Sequence, residues 1–265
     1  MGLIKQLKCI ETPAGYLLSW DIAEGASVAR TTVYGINDAR EFVLESPLVS
    51  TGRLLLSPDN YNLLTAFKVS VACSDGTVET TLPIVPQKLV KAERLLYKDM
   101  ISRYDKYVKC TPIGSYKCTV LLRRIDGEKC PRCGSEVCSG RGGRAVSDYC
   151  PLCLGVGIAD PYYVYPVDQL IHAVSPRDDN DKVENPAVAR NLIIRTFLST
   201  FPLGYRVNDV LVSGTEVYRI IQQDVKSSVG NLPVTYVLTV QKYQPEDPRY
   251  DTFVQLAGGK GGHDL

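Results

Sequence analysis

The chain has 265 residues, and its 30 Lys and Arg against 29 Asp and Glu give a formal net charge of +1. That length suits one large domain or two to three small ones, and 45% hydrophobic with 22% charged residues is ordinary for a globular protein. A near-zero charge argues against a surface built to coat nucleic acid, and no run approaches the roughly 20 apolar residues of a membrane span. Met1 to Leu7 has neither a long apolar core nor a small-residue cleavage site, which predicts maturation in a cytoplasm.

Residues 1–86 read as all-β. Tyr16 to Trp20 and Arg30 to Tyr34 are short strand patterns. Phe67 to Cys73 alternates with period two and turns through Ser74-Asp75-Gly76 into Thr77 to Leu82. Strands of this length and spacing predict a β-sandwich. The order Leu18-Ser19-Trp20, Val33-Tyr34 and Phe67-x-Val69-x-Val71-x-Cys73-x-x-Gly76 resembles a fibronectin type III module. The resemblance implies that Trp20 lies inside the sandwich and that Phe67 stands where that family usually has tyrosine.

Pro83 and Pro86 mark the exit from this module into a connector, residues 87–125. Leu89, Glu93, Leu96, Met100, Tyr104 and Tyr107 recur at three- and four-residue spacing, which predicts an amphipathic helix ending before Pro112. Its apolar stripe needs a partner surface, either in its own domain or on a neighbouring subunit. Tyr116 to Arg124 is strand-like.

Residues 126–160 hold the strongest signal. Nine cysteines are many for a cytosolic protein, and four stand in two pairs, Cys130-Pro-Arg-Cys133 and Cys150-Pro-Leu-Cys153. A reducing compartment favours metal binding over a disulfide framework. Each Cys-x-x-Cys knuckle turns two thiolates toward one point, and two knuckles at this separation close a tetrahedral sulfur cage. Cys130, Cys133, Cys150 and Cys153 are thus the expected ligands of one structural zinc ion, with no open position for catalysis. Cys138 lies between the knuckles but fits neither and reads as a free thiol; Cys9, Cys73, Cys110 and Cys118 are scattered along the chain.

Residues 161–257 return to β after an extended aromatic stretch, Asp160 to Pro166. Residues 175–186 form a polar, acid-rich excursion. Asp209 to Val212 and Glu216 to Ile221 flank Ser213-Gly214-Thr215 as a hairpin, and Pro233 to Gln241 gives a further alternating strand. Residues 258–265 are glycine-rich and read as a flexible tail. The fold class expected is mainly β with one amphipathic helix. His172 and His263 lie near no nucleophile motif, and no phosphate-binding glycine loop is present, so no catalytic residues and no enzyme activity are expected.

Three families share parts of this pattern. The run Cys150 to Gly157 resembles one repeat of the DnaJ chaperone zinc domain, a family with four repeats and a His-Pro-Asp signature. Arg132, Arg141 and Arg144 around the knuckles are similar to the basic residues of a zinc-ribbon nucleic-acid binder. The whole order resembles a cysteine-rich neck, or head–tail connector, protein of tailed bacteriophages: an Arg-rich strand, two Cys-Pro-x-Cys knuckles, an aromatic segment, then Asn208-Asp209-Val210, Gly214-x-x-Val217-Tyr218-Arg219-Ile220 and Pro248-x-Tyr250. Leu154 and Val156 depart from the aromatic and threonine usual in that family. The resemblance implies a homo-oligomeric ring within a virion assembled in the host bacterial cytoplasm. Its partners would be portal or adaptor, tail or collar proteins, with a baseplate or tail-attachment position as the alternative. Neither a specific nucleic-acid sequence nor a membrane is implied.

Overall fold

The computed structural model describes residues 2–24, 26–38, 40–57, 63–111, 114–132, 150–174 and 194–258. The chain is mainly β and divides into two compact units, residues 1–94 with 124–163, and residues 95–123 with 164–265. The segments read as sandwich and metal-binding region thus fall together in the first unit, and the helix and the C-terminal β region in the second.

Seven strands build the first unit: β1 (Ile4–Thr12), β2 (Gly15–Ile22), β3 (Val28–Asn37), β4 (Arg40–Leu44), β5 (Arg53–Leu56), β6 (Ala66–Cys73) and β7 (Val78–Thr80). They form two antiparallel sheets, ordered β1-β2-β5 and β4-β3-β6-β7. Side chains alternate across each strand, so every second residue faces inward. Leu18 and Trp20 from β2, Val33 from β3, Leu54 from β5 and Phe67, Val69 and Val71 from β6 meet in one core between the sheets. Trp20, Val33 and Phe67 are fully buried. A 3₁₀ turn, Pro47–Thr51, adds Val49 to that core and ends on Gly52, whose φ of 72° suits glycine.

The second unit is a barrel. Its strands are β8 (Ser115–Arg123), β10 (Gln169–Ala173), β11 (Ile194–Ser199), β12 (Val210–Ser213), β13 (Glu216–Val229) and β14 (Leu232–Lys242), preceded on β8's flank by short β9 (Tyr162–Val164). Hydrogen bonding runs β10-β11-β14-β13-β12-β8, and β8 also pairs with β10, so six antiparallel strands close on themselves. Val120, Ile171, Phe197, Val210, Val217, Ile220, Leu238 and Val240 are fully buried in this unit. Closure removes the open edges that an ordinary sheet must protect.

Helix α1 (Lys91–Cys110) ends before Pro112 as the periodicity predicts, but its faces differ from the predicted stripe. Tyr97, Tyr104 and Val108 are the buried residues, and the Tyr104 hydroxyl donates to Leu198 O at 2.5 Å. Leu96 and Tyr107, both of the expected stripe, are each 51% exposed. Leu89 is buried but precedes the helix. At 100° per residue the stripe is set one position off the Leu96–Met100–Tyr107 line. A second helix, α2 (Tyr250–Gly258), follows β14 in the region expected to be β, which corrects the expectation of a single helix, and it buries Phe253.

Two polar contacts fix the barrel's ends. Asp209 is fully buried, and its carboxyl oxygens accept from the backbone N–H of Arg123 (2.9 Å) and of Arg206 (2.8 Å). Replacing Asp209 by Ala orphans both donors in the interior and is expected to cost about 2–4 kcal/mol, measured by urea unfolding, with Asp209→Asn costing less. Elsewhere Glu216 accepts from Lys242 Nζ (2.5 Å) and from the Tyr218 hydroxyl (2.6 Å), with Arg195 also bonded to that hydroxyl. Burial works to raise the Glu216 pKa, but these hydrogen bonds and the charges of Lys242 and Arg195 outweigh it and hold the pKa below its ordinary 4.5. Stability from Glu216 is therefore complete above its ordinary pKa and is lost as pH falls through the lowered one. Glu216→Gln is expected to flatten the acid limb of the stability–pH profile while leaving its alkaline limb in place.

Candidate metal centre

The chain leaves β8 at Arg123, and the segment to Pro161 returns beside its starting point. Arg124 N–H donates to Pro161 O (2.9 Å), Ala159 N–H to Glu128 O (2.8 Å) and Cys130 N–H to Gly157 O (2.9 Å), and Lys129 pairs with Ile158 as an isolated antiparallel bridge. This narrow ribbon places Cys130 opposite the second knuckle. There the chain coils tightly: Leu154 N–H bonds Cys150 O (2.8 Å) and Val156 N–H bonds Cys153 O (2.7 Å). Gly155 and Gly157 take φ of 83° and 85°, a region open to glycine at no steric cost. Leu154, with φ 50°, adopts the left-handed conformation without that freedom.

Cys130, Cys150 and Cys153 form a buried cluster of their own, exposed by 0, 4 and 0%. Their sulfurs all lie within 4.8 Å of one another, and Cys130 Sγ stands 3.9 Å from Cys150 Sγ. A disulfide needs about 2.05 Å, so these are separate thiols. Sulfurs held about 2.3 Å from a central ion at the corners of a tetrahedron are about 3.8 Å apart. The cluster fits that spacing and can hold a metal ion. Cys133, the fourth ligand expected from sequence, lies outside the described residues, as do Cys138, Arg141 and Arg144. The acid-rich segment 175–186 and the tail beyond Gly258 also lie outside them.

The other described cysteines have different surroundings. Burial, with the charge of Glu11 second, pushes the Cys9 thiol up to about 12, and burial raises the Cys118 thiol further. Both are thereby kept as inert thiols. Arg132 is exposed beside the first knuckle.

His172 is nearly buried and lies in a cluster that sequence reading missed. Its Nδ1 is 3.1 Å from Ser115 Oγ and its Nε2 3.3 Å from the Tyr107 hydroxyl. Ser115 Oγ also donates toward Thr111 O (2.7 Å) and Val108 O (3.0 Å), carbonyls freed at the end of α1. Both ring nitrogens of His172 thus lie within hydrogen-bond reach of a hydroxyl, and Ser115 joins the end of α1 to the ring. The signal that could have found it is Ser115 just past a helix end, but nothing local points to His172.

No described helix is long and apolar enough to cross a membrane. No family model, curated protein or solved structure matches the chain, so the functional argument rests on its own residues.

Purified protein is expected to carry one metal equivalent per chain by elemental analysis. Cys150→Ser or Cys153→Ser should abolish retention through gel filtration, and acidification should release the metal as thiolates take up protons.

Proposed function

We propose that this chain is a structural subunit of the neck, or head–tail connector, ring of a tailed bacteriophage. In this reading the cysteine cluster binds zinc, completed by Cys133, and the N-terminal sheets form a fibronectin type III-like module. The strand orders β1-β2-β5 and β4-β3-β6-β7, with Trp20 in the shared core, support the module. Four thiolates around a d¹⁰ ion with no preferred geometry of its own suit zinc, and they suit a structural role.

The observation that carries the reading is the outer face of α1. A closed barrel offers no strand edge for pairing, so association must use side-chain surfaces. On α1, Leu95 is 61% exposed, with Leu96 and Tyr107 each at 51%. Burying such side chains contributes roughly 1.5–3 kcal/mol each before ordering costs, enough for a ring that closes cooperatively. Such rings are heterologous, the front of one subunit meeting the back of the next. The partners are further copies of the chain and, above and below, portal or adaptor and tail proteins.

Leu96→Asp combined with Met100→Asp tests the role of that face. The variant should keep the wild-type circular dichroism spectrum yet lose incorporation into particles by at least roughly tenfold. Normal particles carrying the variant would refute this use of α1. Salt-sensitive, submicromolar binding to random DNA would instead favour a zinc-ribbon nucleic-acid binder.

A further inference from the structure

We infer that the metal-binding segment is a strap on the N-terminal sandwich, so that metal occupancy at Cys130, Cys150 and Cys153 is transmitted to the core around Trp20. The inference rests on the metal reading of the cysteine cluster and adds a second role, support of a different part of the fold. From sequence, the two regions are separate modules with the connector 87–125 between them, and the expected consequence of metal loss is local. The contacts indicate otherwise.

Just before Cys130 the chain lies along the sandwich. Ile125 N–H donates to Ser50 O at 2.6 Å, and Gly127 N–H to Val28 O at 3.4 Å. The Ile125 side chain packs against the same core as Trp20, Val28 and Val49. Between them Asp126, 6% exposed, lies against Thr31 and Arg124. The acceptor Ser50 belongs to the 3₁₀ turn that inserts Val49 into the core. That turn ends on Gly52, whose carbonyl accepts from Trp20 N–H at 3.1 Å. A continuous path of contacts thus runs from Cys130 through Ile125 and Ser50 to Trp20.

The strap has little to hold it in place without the metal. Its described apolar residues after Gly127 are few, and the ribbon from Glu128 to Ala159 is two strands wide for only a few residues. A narrow two-stranded ribbon is marginal by itself in water. Tying its two arms through Cys130 on one and Cys150 and Cys153 on the other fixes Ile125, Asp126 and Gly127 at the sandwich surface before their contacts form. Those contacts then cost less conformational entropy. Linkage makes the effect reciprocal: metal stabilises the sandwich, and the intact sandwich tightens metal binding.

Trp20 is the single tryptophan of the chain and is fully buried in that core, so its fluorescence reports the sandwich alone. The experiment follows thermal unfolding of the full chain at Trp20 across a series of buffered free Zn²⁺ concentrations, with EDTA as the zero point and metal content measured in parallel. The expected result is a Trp20 midpoint that rises with the logarithm of free Zn²⁺, spanning at least roughly 5 °C. Ile125→Ala with Asp126→Ala should bind Zn²⁺ but lose most of this dependence. A midpoint independent of Zn²⁺ while elemental analysis shows metal bound and removed would overturn the strap and leave the metal site standing. Absence of bound Zn²⁺ at every concentration would overturn both.

Discussion

Strand β8 carries the constraint on which the second unit depends. A six-stranded sheet closes only when its two end strands pair with each other, and β8 meets β10 through Ser115–Cys118 while pairing with β12 through Thr119–Leu121. The two partners use successive stretches of the strand, which staggers the barrel as closure requires. Cys118, Val120, Leu121 and Leu122 are all buried along it, so β8 reads as nearly continuous apolar chain at its far end instead of strict alternation. Asp209 secures the same end by holding Arg123 N–H. Tyr116 starts the interior run of rings with an edge contact to Phe197, which in turn meets Tyr218.

The parts legible in the sequence were those specified within a few residues. Alternation in Pro233 to Gln241 and in Phe67 to Cys73 locates β14 and β6, and Gly214 marks the β12–β13 turn, where φ is 58°. The knuckle spacing singles out Cys130, Cys150 and Cys153 because two-residue loops leave little choice of geometry. Barrel closure was not legible, since β10 reaches β8 across fifty residues that include the metal segment. β1, β4, β5, β10 and β11 were missed. β1 breaks register between Lys5 and Lys8, at Gln6 with φ 51°. On α1 the periodicity marks a stripe containing Tyr104 but not its buried neighbours Tyr97 and Val108, whose burial depends on packing distant in sequence, as Tyr104's bond to Leu198 O does.

Both units meet the same requirement, that backbone groups at sheet edges find partners. The barrel meets it by closure. The first unit uses a crossing segment: Thr81 N–H bonds Val69 O, Ile84 and Phe67 exchange two bonds, and then Gln87 N–H bonds Cys9 O while Glu11 N–H bonds Gln87 O. One extended stretch thereby serves β6 of one sheet and β1 of the other. Pro83 and Pro86 are compatible with this path because neither is called on to donate. The cost is surface exposure, with Leu82 at 84% and Val85 at 72% on the outward side.

The strap of Arg124 to Gly127 extends that logic from edges to corners. It engages Ser50 O on the 3₁₀ turn and Val28 O at the start of β3. Asp126 is buried there, and burial raises its pKa, while Thr31 and the charge of Arg124 act in the opposite direction. Burial being the stronger, the folded state holds the proton more tightly than the unfolded chain, so Asp126 detracts from stability as pH rises through its ordinary range. A group of that kind persists only when something else fixes the segment around it. The nearby thiol cluster can supply that fixation when it binds a metal, since a few metal–sulfur bonds order more chain than a few hydrogen bonds can. Relieving the cost of that buried carboxyl, by Asp126→Asn, should raise the stability of the first unit near neutral pH, read as the Trp20 thermal midpoint.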